Sequence, residues 1–201
     1  MEGQLQKLSN ARQRSQAETR GRLLKAATKL FAEKGCSNTT TGALASEAGV
    51  AVGTVYLHFK DKDALLNAVL KSALARLKQE LGKTTPNKQD GHSLVQEKML
   101  GLANYTQSFS DLAAVLFDGG NLSTIPGKEA LDILIKSQEN GLMVGISDGY
   151  YRGDLHSGLA ARAQVGVLVQ ILGWWAKNPQ AVDKAEVVEV LTELRLNGLK
   201  R

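Results

Sequence analysis

Cysteine is nearly absent: Cys36 is the only one among 201 residues. No intrachain disulfide framework can form, and a zinc site built on cysteines is excluded. A reducing cytoplasm is the simplest home for such a chain. Proline occurs 3 times, and aromatic residues are 5% of the chain. A many-stranded sandwich or barrel wants more of both, so the balance tips towards helices. Long apolar runs are missing too. The richest, residues 165–176, falls short of the roughly eighteen a bilayer span needs and carries Gln170 inside it, so no membrane partner is expected. Residues 1–15 contain no apolar stretch of the kind a secretory signal requires.

Catalytic constellations are also wanting. His58, His92 and His156 are far apart, with no H-x-x-x-H pair, no G-x-S-x-G elbow and no G-x-x-x-x-G-K phosphate loop. The chain therefore reads as a non-enzyme with no cofactor and no metal site. Cys36 shows nothing in its sequence context that would activate its thiol.

What is present is ordinary globular material, 43% hydrophobic and 22% charged, long enough for one large or two small domains. Its charge is uneven. Residues 1–83 hold 14 basic and 7 acidic side chains, a net +7, whereas the remainder holds 11 basic and 13 acidic, a net −2. A basic segment of this size suits a polyphosphate, because each phosphate neutralised releases condensed counterions. A solvated basic face would have the same composition, and charge does not separate the two.

Apolar spacing of three and four marks an amphipathic helix over 17–34 through Leu23, Leu24, Ala27, Leu30 and Phe31, closed by Gly35. A polar loop ends at Thr40 as an N-cap, and short helices follow over 41–48 and 52–59, joined by Ala48-Gly49-Val50. Asp61 caps a long helix whose apolar positions run from Leu65 to Leu81. Residues 82–91, with Pro86, read as a hinge or domain edge. Further helical segments are expected over 93–110, 111–117, 127–151, 157–177 and 183–199, separated by Gly119-Gly120, Pro126, Arg152-Gly153-Asp154 and Asn178-Pro179. The expected fold class is all-α.

Two short helices braced by a longer one before and another after form a helix-turn-helix, whose second helix fits a major groove about 12 Å wide. The run from Thr40 to Leu65, with Ala48-Gly49-Val50, Gly53-Thr54-Val55-Tyr56, Leu57-His58-Phe59, and Lys62 followed by Leu65, closely resembles the DNA-binding signature of tetracycline-repressor-like (TetR family) regulators. The resemblance covers about 17–77. It implies a basic, flexible arm at 1–16, a three-helix DNA-binding domain at 17–77 with its helix-turn-helix at 40–59, and an effector-binding and dimerisation domain at 78–201. Two positions depart from the pattern. Ala51 stands where Ser or Thr is common, leaving the recognition-helix cap to the backbone or removing it. Gly42 stands where polar or charged residues are common, at a cost of up to about 1 kcal/mol in helix propensity.

By this resemblance Thr40, Tyr56, His58 and Lys62 meet phosphates, Thr41 is a further DNA-binding residue, and Val52, Gly53, Thr54 and Leu57 face base edges. Leu44, Ala48, Val50, Val55 and Phe59 read as packing. Thr40 as a plain N-cap would look the same. No arginine fork is available in the recognition helix, so readout leans on apolar contact, water and DNA shape. Arg12, Arg14, Arg20 and Arg22 are further candidates for phosphate or minor-groove contact, with a solvated tail the alternative for the first two.

Between residues 163 and 176 the chain is apolar nearly all round, and Gly166 and Gly173 share a face. With the resemblance, this implies a homodimer through the last two helices, with Gly166, Val169, Gly173, Trp174, Val187, Leu191 and Leu194 at the contact and burial within a monomer as the alternative. An apolar effector pocket with polar handles is expected around Leu70, Leu74, Met99, Leu102, Tyr105, Gln138, Leu142 and Met143, with ordinary core as the alternative. Expected partners are an operator in double-stranded DNA, a second copy of the chain and a small-molecule effector. The function implied is a repressor released from its operator by that effector; an architectural DNA-binding protein without an effector is the alternative.

Overall fold

In the computed structural model, which describes residues 2–83 and 91–197, ten helices and no strand are seen. They are α1 (Glu2–Lys34), α2 (Thr41–Glu47), α3 (Val52–His58), α4 (Lys62–Leu81), α5 (Gly91–Ser108), α6 (Ser110–Leu116), α7 (Gly119–Leu122), α8 (Ile125–Ser147), α9 (Ser157–Lys177) and α10 (Lys184–Asn197). The hinge expected around Pro86 and the helix end expected at Gly198-Leu199 lie outside the described residues.

Two departures from the sequence expectation have clear causes. Residues 2–16, expected as an arm, are helical and continue α1. That segment has no apolar stripe, and residues 11–18 are exposed on every side, but it is rich in Gln, carries Arg12 and Arg14, and has no proline to stop a helix. The second departure is α7, one turn at a site read as a breaker. Asp118 precedes its two glycines and caps it, the Asp118 carboxylate accepting from the Asn121 N–H at 2.9 Å. Pro126 opens α8, where its missing N–H costs nothing.

Leu23, Ala27 and Phe31 of α1 are fully enclosed against Leu44 of α2, Val55 of α3 and Leu65, Leu66 and Val69 of α4. The Leu, Val and Phe side chains among them each contribute roughly 1.5–3 kcal/mol by leaving water. Further along, α4 packs against α5, α6 and α8, while α9 lies across α6 and α8 and α10 rests on α5. The core is continuous from Leu23 to Leu196. A smaller satellite gathers Leu142, Tyr151 and Ala161. By length and mean hydropathy, 1.2, α9 alone among the described helices passes for a membrane span. Here one side of it is core: Leu172 and Trp175 are buried, and the Trp175 indole donates to the Val182 carbonyl at 2.9 Å.

Candidate nucleic-acid interface

The unit formed by α2 and α3 is held by its turn. Gly49 takes a φ of 64°, which a residue with a Cβ rarely adopts, and this lets the Val50 N–H donate back to the Ala45 carbonyl at 2.9 Å. Thr40 caps α2, its hydroxyl accepting from the Ala43 N–H at 3.2 Å. Ala51 gives α3 no side-chain cap, the consequence of its departure from the Ser or Thr pattern. Val55 and Phe59 anchor α3 in the core. Opposite them, Val52, Gly53, Tyr56 and Leu57 are exposed, and Thr54 and His58 are half-buried. Leu57 is 84% exposed and Tyr56 57%, a costly placement for large apolar groups unless something covers them.

The polar residues around this face are tied together. Tyr56 reaches back to α2, its hydroxyl 3.4 Å from Thr41 Oγ1. Lys62 turns its ammonium onto the Ser37 and Thr39 carbonyls at 3.2 and 3.1 Å, bracing the loop that leads into Thr40. Lys29 bridges α1 to α2 through Glu47 at 2.8 Å. Arg20 holds the far end of α3: its Nη1 donates to the His58 carbonyl at 3.3 Å and its guanidinium lies 4.3 Å from the Phe59 ring centre. Sequence reasoning groups Arg20 with the free arginines, but its contacts make it a brace. Arg12, Arg14 and Arg22 are exposed.

Of the eight expected pocket residues, three come together. Met99, Leu102 and Gln138 line a cavity of about 190 Å3 between α4, α5, α8 and α10. A narrower space of about 50 Å3 adjoins it through Leu81, Leu102, Ser137 and Gln138 and runs on between Leu77, Phe117, Leu134 and Leu168. The other five lie elsewhere. Leu70 is closed core, Leu74 is half-buried against it, Leu142 belongs to the satellite cluster and Met143 is 55% exposed. Tyr105 is enclosed between Phe109 and Phe117 with its hydroxyl unpartnered, and burial pushes that phenol well above its ordinary range. Lys98 and Arg195 also line the cavity, and the sequence reading does not include them. The signal is there: Val188, Leu191 and Arg195 fall on one helical face, as do Val95, Lys98 and Leu102.

The expected dimer residues also divide. Trp174 and Leu194 are exposed, as is Gly166, and Val169 is half-buried. Val187 and Leu191 are closed in the core of their own subunit. Gly173 is corrected outright: a Cβ there would run into the Phe117 carbonyl, so this glycine admits α6, not a partner. The two glycines of α9 share a face but not an environment: a Cβ at Gly166 would meet nothing within 4 Å. Leu159 and Val190 join Trp174 and Leu194 as exposed apolar groups on α9 and α10.

One contact ties the α1–α2 loop to the far helices. The buried Asn121 accepts from the Cys36 N–H at 3.1 Å while its amide donates to the Val115 carbonyl at 3.3 Å. Nothing in the residue pattern marks it.

Residues 23–69 match the family model described as bacterial regulatory proteins, tetR family. Along most of its length the chain is similar to the fatty acid metabolism regulator protein of Bacillus subtilis, 23% identical over 88% of this chain and 93% of that one. It is also similar to the HTH-type transcriptional repressor KstR2 of Mycolicibacterium smegmatis, 29% identical over 73% of this chain and 74% of that protein. Its fold is similar to that of the fatty acid degradation regulator FadR of Bacillus halodurans, with a TM-score of 0.70 at 21% identity over 88% of this chain and 94% of the other.

Proposed function

Because the chain belongs to the tetR family of bacterial regulatory proteins, we propose that it is a cytoplasmic repressor that binds an operator as a homodimer and leaves it when a small molecule fills the cavity beside α4. Residues 17–77 carry the DNA contact; residues 78–201 carry effector binding and dimerisation. The observation that carries the reading is the outer face of α3. Val52, Tyr56 and Leu57 are held in water by a scaffold whose own anchors, Val55 and Phe59, are buried. In a major groove Val52 and Leu57 meet thymine methyls, Thr54 supplies a hydroxyl, and Gly53 lets the backbone close in. Tyr56 and Thr41, already within reach of each other, form a polar edge for one phosphate. Lys62 puts its charge beside Thr40 for another.

Release follows from the connection between the two parts. The last turns of α4, through Leu77 and Leu81, line the cavity, while its first turns pack on α1. A molecule that displaces the C-terminal end of α4 rotates the head it carries, and two heads on one duplex then lose their common register. Effector and operator oppose each other by one coupling energy, typically about 1–3 kcal/mol. The test is to select bound sequences from random duplex DNA and then screen compounds for release from the selected site. A compound that binds free protein and the DNA complex equally well is not the effector, and a broad library without any releasing compound refutes the ligand-gated reading.

A further inference from the structure

Arg195 is 6% exposed and comes out of the apolar face of α10. Its Nε donates to the Tyr151 hydroxyl at 3.1 Å and its Nη1 to Gln138 Oε1 at 2.8 Å, both neutral acceptors. Across the same cavity Lys98 is half-buried, its Nζ directed towards Gly141 of α8. The ion pairs among the described residues are Lys29–Glu47, Lys83–Glu80, Arg152–Asp154 and Lys177–Asp118, so neither cavity cation has a carboxylate within 4.0 Å. Among the described residues Glu97 is the one acid that lines the space, and its buried Oε2 has no hydrogen-bond partner. Among the described residues, two formal positive charges against one negative leave a single positive charge in the cavity.

From this we infer that the effector is a monocarboxylate on an apolar chain, its carboxylate held between Arg195 and Lys98 and its chain lying towards Leu102, Phe117 and Leu168. The inference rests on the reading of this cavity as the effector site and adds the ligand's chemistry. Arginine and lysine at one site suit an oxyanion, since each donates charge-assisted hydrogen bonds and the guanidinium offers a second, parallel one. The surplus of one charge selects a carboxylate over a phosphate dianion. Burial and the neighbouring Arg195 charge hold the Lys98 ammonium below the usual lysine range, the strain that a bound anion relieves. The size fits as well: an apolar cavity of about 150 Å3 admits a benzene-sized guest, and the 190 Å3 here continues into the narrower space.

The test titrates the full chain, without DNA, with octanoate, octanol, octylammonium and octyl phosphate by calorimetry. Octanoate is expected to bind one per chain, at least about tenfold tighter than octanol. Lys98→Met is expected to remove that advantage while leaving octanol binding unchanged, and Lys98→Arg to keep it. Equal affinity for octanoate and octanol, tighter binding of octylammonium, or an unaltered preference in a folded Lys98→Met protein overturns the inference. Tighter binding of octyl phosphate overturns the carboxylate assignment. Adding operator DNA afterwards separates the two claims. Octanoate that binds through Lys98 without releasing DNA refutes the release reading and keeps the site. A different compound that releases DNA where octanoate does not bind refutes the site and keeps the release.

Discussion

Tyr56 is mostly in water, and among the described residues its side chain makes one hydrogen bond, the long one to Thr41, so its removal costs the fold little. In the proposed complex it costs a phosphate contact. Tyr56→Ala is therefore expected to weaken binding to every duplex alike and to lower the slope of log affinity against log salt by roughly one unit, with the melting temperature almost unchanged. A titration series in salt checks it. Tyr105 is the opposite case. Its hydroxyl is buried without a partner between two phenylalanines, and a buried group of this kind costs about 1–3 kcal/mol. Tyr105→Phe is expected to raise the unfolding free energy by about 1 kcal/mol in a denaturant titration, the opposite sign to an ordinary core substitution. Single residues are unevenly legible. The exposed set on α3 follows from its motif, whereas Arg20, Arg195 and Asn121 take their meaning from partners 38, 57 and 85 positions away, a separation that local spacing does not report.

Helices of strong apolar period are easy to read: the expected 157–177 segment coincides with α9, and α4 follows directly on its predicted Asp61 cap. The misreadings come where period and propensity disagree. Residues 2–16 have helix formers without a stripe, and α7 has a cap without helix formers. The short α7 is held from both sides: Asp118 caps it and also pairs with Lys177 at the end of α9, at 2.9 Å. Burial works to raise the Asp118 carboxyl, but the Lys177 hydrogen bond and charge and the Asn121 and Gly120 N–H groups outweigh it, so its pKa lies below the ordinary 3.8. A carboxyl lowered on folding gives stability that is present above its unfolded value and lost as pH falls through its folded one. Asp118→Asn is therefore expected to lower the melting temperature at pH 7 and to flatten its decline below about pH 4. Thermal scans across acid pH measure both.

At the scale of the molecule, pairing of two copies requires a face, and Leu159, Trp174, Val190 and Leu194 provide exposed apolar groups on α9 and α10. Exposed apolar surface of this kind is what an association site offers. Leu194→Glu with Leu159→Glu is expected to convert a dimer to a folded monomer at micromolar concentration, read by sedimentation with the helical circular dichroism retained. Gly173→Leu is unsuitable for the purpose, since it strikes Phe117 within its own subunit. In the proposed homodimer, two α3 helices related by a two-fold axis would read two half-sites about 34–36 Å apart, or a multiple of that. Selection from random duplex DNA measures this most directly. One enriched sequence with two inverted half-sites at that spacing is expected, the same for the Tyr56→Ala protein but bound by it more weakly. No enriched sequence, or one that the Tyr56→Ala protein binds as tightly as the unaltered chain does, would contradict this expectation.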